Sequence, residues 1–337
     1  MTAMPPTTGH LQLIQFAESL ADEGVELIVN TQPDEPFIEE RVSAVTKAVS
    51  SHNVRVHTYS EFIEQDPEAP GFWDMWKNML LDWGIRAGID VIVASELYGK
   101  KLAELTGTKF YPYDIERQIN PSKATKVRNY PFQYFKNILP EFQEYIKTRV
   151  TFFGAESTGK TTTSHVVADR LGAPWLFEYA RPYLENTINE ITPDSMGDIY
   201  RGQLALQKQG SKLSTTSPYI IQDTDLFSTV GYWSLPHWQK TLGECPETLI
   251  EDALANKSDL YIITKSNIPF EEDPLRYGGN VREGSDEYWL GICEKYDLNY
   301  VVLESPDLEV RMNESVQYIW DVAMVKLSYL WYDRHGL

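Results

Sequence analysis

An α/β class with largely parallel sheets is what this sequence predicts, on three observations. Short apolar, β-branched runs alternate with longer amphipathic stretches. The runs are continuous, as expected of strands buried on both faces between helices. The 337-residue length makes two domains the natural division. Leu27-Ile28-Val29 is the first predicted strand and Val91-Ile92-Val93-Ala94 the next. Arg149 to Phe153, Pro218 to Gln222, Leu260 to Ile263 and Asn299 to Leu303 complete the set. Apolar residues at helical spacing from Val316 to Leu330 predict a packed helix over Ser315–Trp331. The boundary is drawn before Arg149, giving domains 1–148 and 149–337. Residues 129–148 form an aromatic-rich, ordered connector. Gln65 to Gly71 and Pro269 to Gly284 read as loops.

Composition narrows the function classes. Hydrophobic residues are 42%, enough for packed cores. There are 49 acidic and 30 basic side chains, a net charge of -19, which repels nucleic acid at long range. The two cysteines, Cys245 and Cys293, lie far apart, so neither a disulfide framework nor a zinc site is expected. No apolar run reaches the ~18 residues of a membrane span. Met1 to Pro6 lacks the basic start and apolar stretch of a signal peptide. The expectation is a cytoplasmic protein with small-molecule partners, free to form homo-oligomers.

Residues 154 to 161, Gly-Ala-Glu-Ser-Thr-Gly-Lys-Thr, fit G-x-x-x-x-G-K-[ST] without deviation. They follow a predicted strand and precede a helical stretch, Thr161 to Leu171, the context a P-loop requires. Gly154 and Gly159 let backbone N–H groups curl around phosphate oxygens, with Glu156, Ser157 and Thr158 between them. Lys160 would neutralise the β- and γ-phosphates of ATP, and Thr161 would ligate Mg²⁺. The nearest text to a guanine motif, Asn256-Lys257-Ser258-Asp259, precedes its strand and does not follow it, which sets a GTPase aside. Glu178-Tyr179-Ala180-Arg181 comes one helix after the P-loop, and Asp223-Thr224-Asp225 closes a strand. Acidic groups at strand C-termini lie where ligands bind in open α/β sheets. Such carboxylates can ligate Mg²⁺, accept a proton from an attacking hydroxyl or hold ribose hydroxyls. Glu178 is the first choice for base or hydroxyl-orienting group. Asp223 is the alternative, and also a metal or ribose ligand; the choice among Glu178, Asp223 and Asp225 stays open. Arg276 and Arg282, in a Gly-rich loop, are expected to fold over the transferring phosphoryl group.

In the first half, Thr7-Thr8-Gly9-His10 opens a helical pattern. It resembles the (T/H)-x-G-H signature of nucleotidyltransferases. A helix N-terminus and a donating His10 suit charge building on a phosphate. Lys123-Ala124-Thr125-Lys126-Val127-Arg128 resembles the I-S-x-T-x-x-R signature of that superfamily. Thr125 and Arg128 align, while Lys123 stands at the serine position, one residue after Ser122. Ser95-Glu96-Leu97-Tyr98-Gly99 resembles the S-E-x-Y-G run of one branch. Trp73, Trp76 and Trp83 are candidates for stacking on a pyridine ring, although their spacing equally suits a core helix face.

Together these motifs, in this order, resemble the NadR family of bifunctional nicotinamide mononucleotide adenylyltransferases and ribosylnicotinamide kinases. Tyr130-Pro131-Phe132 and Asp273-Pro274-Leu275-Arg276 add to the likeness. The resemblance implies a Rossmann-like nucleotidyltransferase domain followed by a P-loop kinase domain. It implies two steps of NAD salvage: riboside phosphorylation, then adenylyl transfer from ATP giving NAD and pyrophosphate. Tyr179 and Arg181, with Glu178, Asp223 and Asp225, would form the riboside pocket. Thr7, Gly9, His10, Thr125 and Arg128 would hold ATP in the transferase. Two departures are expected to matter: no room for a helix-turn-helix domain ahead of Thr7, and only Met1 to Met4 where the fold places a whole first strand. The second motivates an alternative, a riboside kinase with an inactive first domain. A third reading is a nucleotide-sensing regulator; the net charge of -19 argues against its binding DNA.

Overall fold

A computed structural model describes residues 1–33, 35–120, 123–187, 190–213, 216–271 and 285–331, except for the side chains of 83–87 and 331. The chain divides into two compact units. One holds Met1–Tyr145 together with the end of the chain from Ser328, the other Ile146–Leu327. Among the described residues, no helix is long and apolar enough to cross a membrane.

The first unit runs α1 (Thr8–Leu20), β1 (Val25–Asn30), α2 (Ile38–Ala48), β2 (Val54–Tyr59), α3 (Phe72–Ala87), β3 (Val91–Ala94), α4 (Tyr98–Thr106) and β4 (Lys109–Pro112). The short helices α5 (Ala124–Asn129) and α6 (Pro131–Tyr134) follow, then α7 (Pro140–Ile146). β1 pairs with β2 and β3 with β4, each pair parallel, and no hydrogen-bonded strand joins the pairs among the described residues. Residues 1–4 touch β1 through two backbone bonds. The amino terminus donates to the Ile28 carbonyl at 2.6 Å, and Asn30 N–H donates to the Met1 carbonyl at 2.8 Å. β1 is anchored on α1 and α2 by Ile14, Leu27, Val29, Val45 and Val49. A second cluster, Ile63, Phe72, Trp76, Met79 and Leu102, seats α3 on α4. The connector is ordered, as its aromatics imply: Phe135, Ile138, Leu139 and Phe142 are fully or nearly fully buried.

The second unit is a parallel sheet in the order β6-β7-β5-β8-β9. Its strands are β5 (Thr148–Phe153), β6 (Trp175–Leu176), β7 (Tyr219–Asp223), β8 (Leu260–Thr264) and β9 (Tyr300–Leu303). Every residue of β7 and β8 is buried, which is why these strands read as continuous apolar runs. Each fully buried Ile or Leu here contributes about 1.5–3 kcal/mol. Helices α8 (Lys160–Leu171), α9 (Ala180–Asn186) and α10 (Pro193–Lys212) come before β7. α11 (Leu226–Ser234), α12 (Pro236–Leu242) and α13 (Glu247–Ala255) lie between β7 and β8. α14 (Ser285–Lys295) and α15 (Leu308–Ser328) flank β9. The final helix starts seven residues before the predicted Ser315 and gives way to a 3₁₀ turn at Tyr329–Trp331. All strands are parallel, so their C-terminal ends share one edge of the sheet, the binding edge of this class.

Candidate active sites

The phosphate loop leaves the end of β5, a strand paired on both sides. Gly154 has φ +129°, and a Cβ there would meet the Thr264 carbonyl at 3.0 Å, so glycine is required. Gly159, at φ +84°, caps the start of α8. Thr158 Oγ1 donates to the Ala155 carbonyl at 2.9 Å and meets Thr264 Oγ1 at 2.7 Å, tying the loop to β8. Lys160 Nζ donates back across the loop to the Ala155 carbonyl at 2.6 Å. These bonds hold the loop curled over the N-terminus of α8, where backbone N–H groups and the helix dipole favour an anion.

Beside this loop is a cavity of about 330 Å³. Its polar wall includes Glu156, Lys160, Thr161, Glu178 and Arg181; its apolar wall includes Ile191, Met196, Ile199 and Trp238. Burial first, and then the charge of Asp223, push the Glu178 carboxyl up to about 7, while Lys160 and Arg181 pull it down. Asp223 ends β7, is 2% exposed, and is also raised by burial, opposed by a bond from Thr161. Its Oδ1 has no hydrogen-bond partner among the described residues. A buried carboxylate oxygen with unused acceptor capacity beside a threonine hydroxyl fits a Mg²⁺ site. No group of three or more His, Cys, Asp or Glu stands ready to hold a metal among the described residues.

Two parts of the expected kinase site do not line this cavity, and a third lies outside the described residues. Asp225 is 1% exposed and caps α11, accepting from Phe227 N–H at 2.9 Å and from the Tyr261 hydroxyl at 2.7 Å. It holds the core below the sheet edge and, like Asp223, is not among the residues that line the cavity. Tyr179 packs its ring on α10: a Cβ on Gly202 would come within 1.9 Å of it. The side chain supports the Glu178 segment from outside the cavity wall. Arg276 and Arg282, with the rest of Asp273-Pro274-Leu275-Arg276, lie outside the described residues. The structure adds Gln203, whose Oε1 accepts Tyr179 N–H at 3.0 Å and which itself lines the cavity. A buried Gln in step with Met196 and Ile199 on the apolar face of α10 was the available signal.

In the first unit Thr7 caps α1, and His10 completes a capping box. Thr7 N–H donates to His10 Nδ1 at 3.0 Å, so the neutral ring carries its proton on Nε2. Burial, then the charges of the amino terminus, Arg117 and Arg128, push the imidazole down to about 4. It is therefore a neutral donor at physiological pH. The connector fixes this loop, through Leu139 N–H to the Pro6 carbonyl at 3.0 Å and a bridge between Thr7 and Ile138. Gly9 lies against Asn120, whose Nδ2 would stand 3.1 Å from a Cβ there. Arg128 donates to the Met4 carbonyl at 2.5 Å and to Thr125 Oγ1 at 3.2 Å, which ties the second signature to the segment ahead of the first, and its charge acts on His10. Arg117, which sequence reading missed, joins this cluster, and Glu96 of the Ser-Glu-x-Tyr-Gly run binds it at 2.5 Å. Glu96 also pairs with Lys123 at 3.3 Å. Trp76 belongs to the core and donates to the Glu64 carbonyl at 2.7 Å. Trp73 has Lys101 Nζ 3.8 Å from its ring centre. The Trp83 side chain and Ser122 lie outside the described residues.

Comparison with known proteins follows the same division. The model of a family described as an AAA domain matches residues 149–311. The trifunctional NAD biosynthesis/regulator protein NadR of Escherichia coli (strain K12) is 23% identical, over 94% of this chain and 80% of its own length. The Salmonella typhimurium protein of the same name gives the same identity and coverage. The chain is similar to NadR over nearly its whole length. A crystal structure of NadR in complex with NR has a TM-score of 0.66 at 22% identity, covering 96% of this chain and 94% of that one. NadR in complex with NAD and AMP-PNP has a TM-score of 0.68 at 22% identity, with the same coverage. The likeness to NadR thus runs through both units and shows the fold.

Proposed function

We propose that the second unit phosphorylates nicotinamide riboside with ATP and that the first transfers AMP from ATP to the mononucleotide, yielding NAD. The observation that carries the kinase half is the facing of Glu178 with Lys160 and Arg181 around a cavity whose other wall is apolar, with the Asp223 charge acting on Glu178. A riboside with its 5′-hydroxyl at the phosphate loop and its aromatic ring on the apolar wall suits that arrangement.

The chemistry then follows from position. ATP lies along the phosphate loop, with Lys160 against its terminal phosphates. Thr161 and Asp223 would hold Mg²⁺, which neutralises charge on the β- and γ-phosphates when bound. The ribose 5′-hydroxyl gives its proton to Glu178 as its oxygen bonds to the γ-phosphorus. The bond from that phosphorus to the bridging oxygen breaks, and ADP leaves. A carboxyl raised by burial to about 7 is matched to this role, since a base works best when poised near the working pH. In the first unit the mononucleotide's phosphate oxygen attacks the α-phosphorus of ATP and pyrophosphate leaves. His10 Nε2–H, with Arg117 and Arg128, donates to the phosphate oxygens as their charge rises.

The test is to supply riboside, ATP and Mg²⁺ to the full chain and identify products by chromatography and mass, with a parallel reaction started from the mononucleotide. NAD in both is the expected result. Unchanged riboside would overturn the kinase assignment. A second reading, a kinase whose first unit is inactive, draws on the separation of the β1–β2 and β3–β4 pairs. It predicts that the riboside stops at the mononucleotide and that the parallel reaction is silent.

A further inference from the structure

Arg311 is an arginine of α15, 2% exposed, far in sequence from every motif. Four acceptors surround its guanidinium. Nη1 donates to the Thr158 carbonyl of the phosphate loop at 2.6 Å. Nη2 donates to Asn267 Oδ1 at 2.7 Å and to the Lys265 carbonyl at 3.3 Å, both in the segment after β8. Nε donates to the Ser305 carbonyl, just beyond β9. One side chain thus joins the loops that leave the C-terminal ends of β5, β8 and β9. It also stands against Gly159, where an added Cβ would lie 3.2 Å from Nη1. All four acceptors are neutral, and no carboxylate pairs with the guanidinium among the described residues. A buried charge compensated only by carbonyl dipoles is costly, and an anion nearby relieves it.

We propose that Arg311 is a positioning residue for the phosphate loop, fixing the Thr158 carbonyl from behind and placing a buried positive charge that a bound polyphosphate balances. In a phosphate-binding loop the N–H groups converge on the anion, so carbonyls must be held elsewhere. Arg311 does this at the residue before Gly159 and Lys160. The fork of the guanidinium suits the task, because its donors reach separate carbonyls at fixed angles. The role rests on the reading of the second unit as the ATP-dependent kinase, but it concerns ATP and not the acceptor.

The test is calorimetric titration of the full chain with ATP and with inorganic tripolyphosphate, with no riboside present. The Lys160→Ala chain serves as the blank that lacks the phosphate-loop site. Arg311→Gln keeps a neutral donor and Arg311→Lys keeps the charge. The expected result is about tenfold or more weaker binding at that site for Gln, with Lys recovering most of the loss. In turnover, KM for ATP rises while kcat at saturation stays within about twofold. Asn267→Ala, at an exposed position, keeps the fold out of the question and should weaken binding by about threefold. Binding unchanged in Arg311→Gln and Asn267→Ala, or Gln binding as tightly as Lys, overturns the role. A Lys160→Ala chain that loses no site takes the kinase reading down with it.

Discussion

The phosphate loop of the second unit and the His10 loop of the first both end at a helix N-terminus, yet they are anchored in different ways. The phosphate loop springs from β5, which has a parallel neighbour on each side. The His10 loop follows residues that make only two backbone bonds to β1. It is held by a capping box, by the connector at Ile138 and Leu139, and by Arg128 on the Met4 carbonyl. A sheet can fix a binding loop by strand pairing, or side chains and a neighbouring segment can take over that task. The reactive groups differ as well. Burial drives both toward their neutral forms, Glu178 up to about 7 and His10 down to about 4. For an acid this yields a base poised near neutrality; for an imidazole it yields a neutral donor.

The largest expected effect is at Glu178. Glu178→Gln should lower riboside phosphorylation about 10³-fold and leave adenylyl transfer unchanged, as steady-state rates would show. The wild-type rate should rise with pH through about 7, the range where Glu178 ionises. The same carboxyl has a stability signature. Its folded pKa lies above the ordinary 4.5, so its contribution is fully present below 4.5 and is lost as pH rises through about 7. Glu178→Gln should therefore stabilise the chain at pH 8 by about 1–2 kcal/mol, read in denaturant melts. A flat difference between pH 5 and pH 8 would break the comparison.

His10→Ala should reduce adenylyl transfer about 10²-fold. Between pH 6 and 8 the size of that loss should stay constant, because His10 titrates near 4 and not in this range. A loss that changes through the ordinary histidine range would show that the ring is not held neutral. Arg117→Met should cost the transferase about tenfold in KM for ATP, a smaller effect because Arg117 shares its charge with Glu96. Gly202→Ala is the mildest. Its Cβ would meet the Tyr179 ring at 1.9 Å, so the Glu178 segment must shift, at a cost of about 1–3 kcal/mol in a urea melt.

What the sequence made legible follows a physical line. β1, β3, β5, β7, β8 and β9 were visible because they are short apolar runs between helical patterns. β2 mixes partly buried and exposed positions, β4 carries Lys109 and ends in Pro112, and β6 has two residues, so none of them stands out. The phosphate loop and the His10 loop were visible because their chemistry is local, with spacing set by one turn of backbone. Asp225 and Tyr179 do not line the cavity, because proximity to the sheet edge does not fix where a side chain turns. Arg311 and Gln203 were not seen because their neighbours come from distant segments. Arg311 meets Thr158 across 153 positions of sequence.

The measurement that tests the account most directly is product analysis of the Lys160→Ala chain supplied in turn with riboside and with mononucleotide. The account predicts that the riboside is left unphosphorylated while the mononucleotide is converted to NAD at the wild-type rate. Riboside still consumed, or both conversions lost together in a chain that remains folded, would contradict the division of the two reactions between the two units.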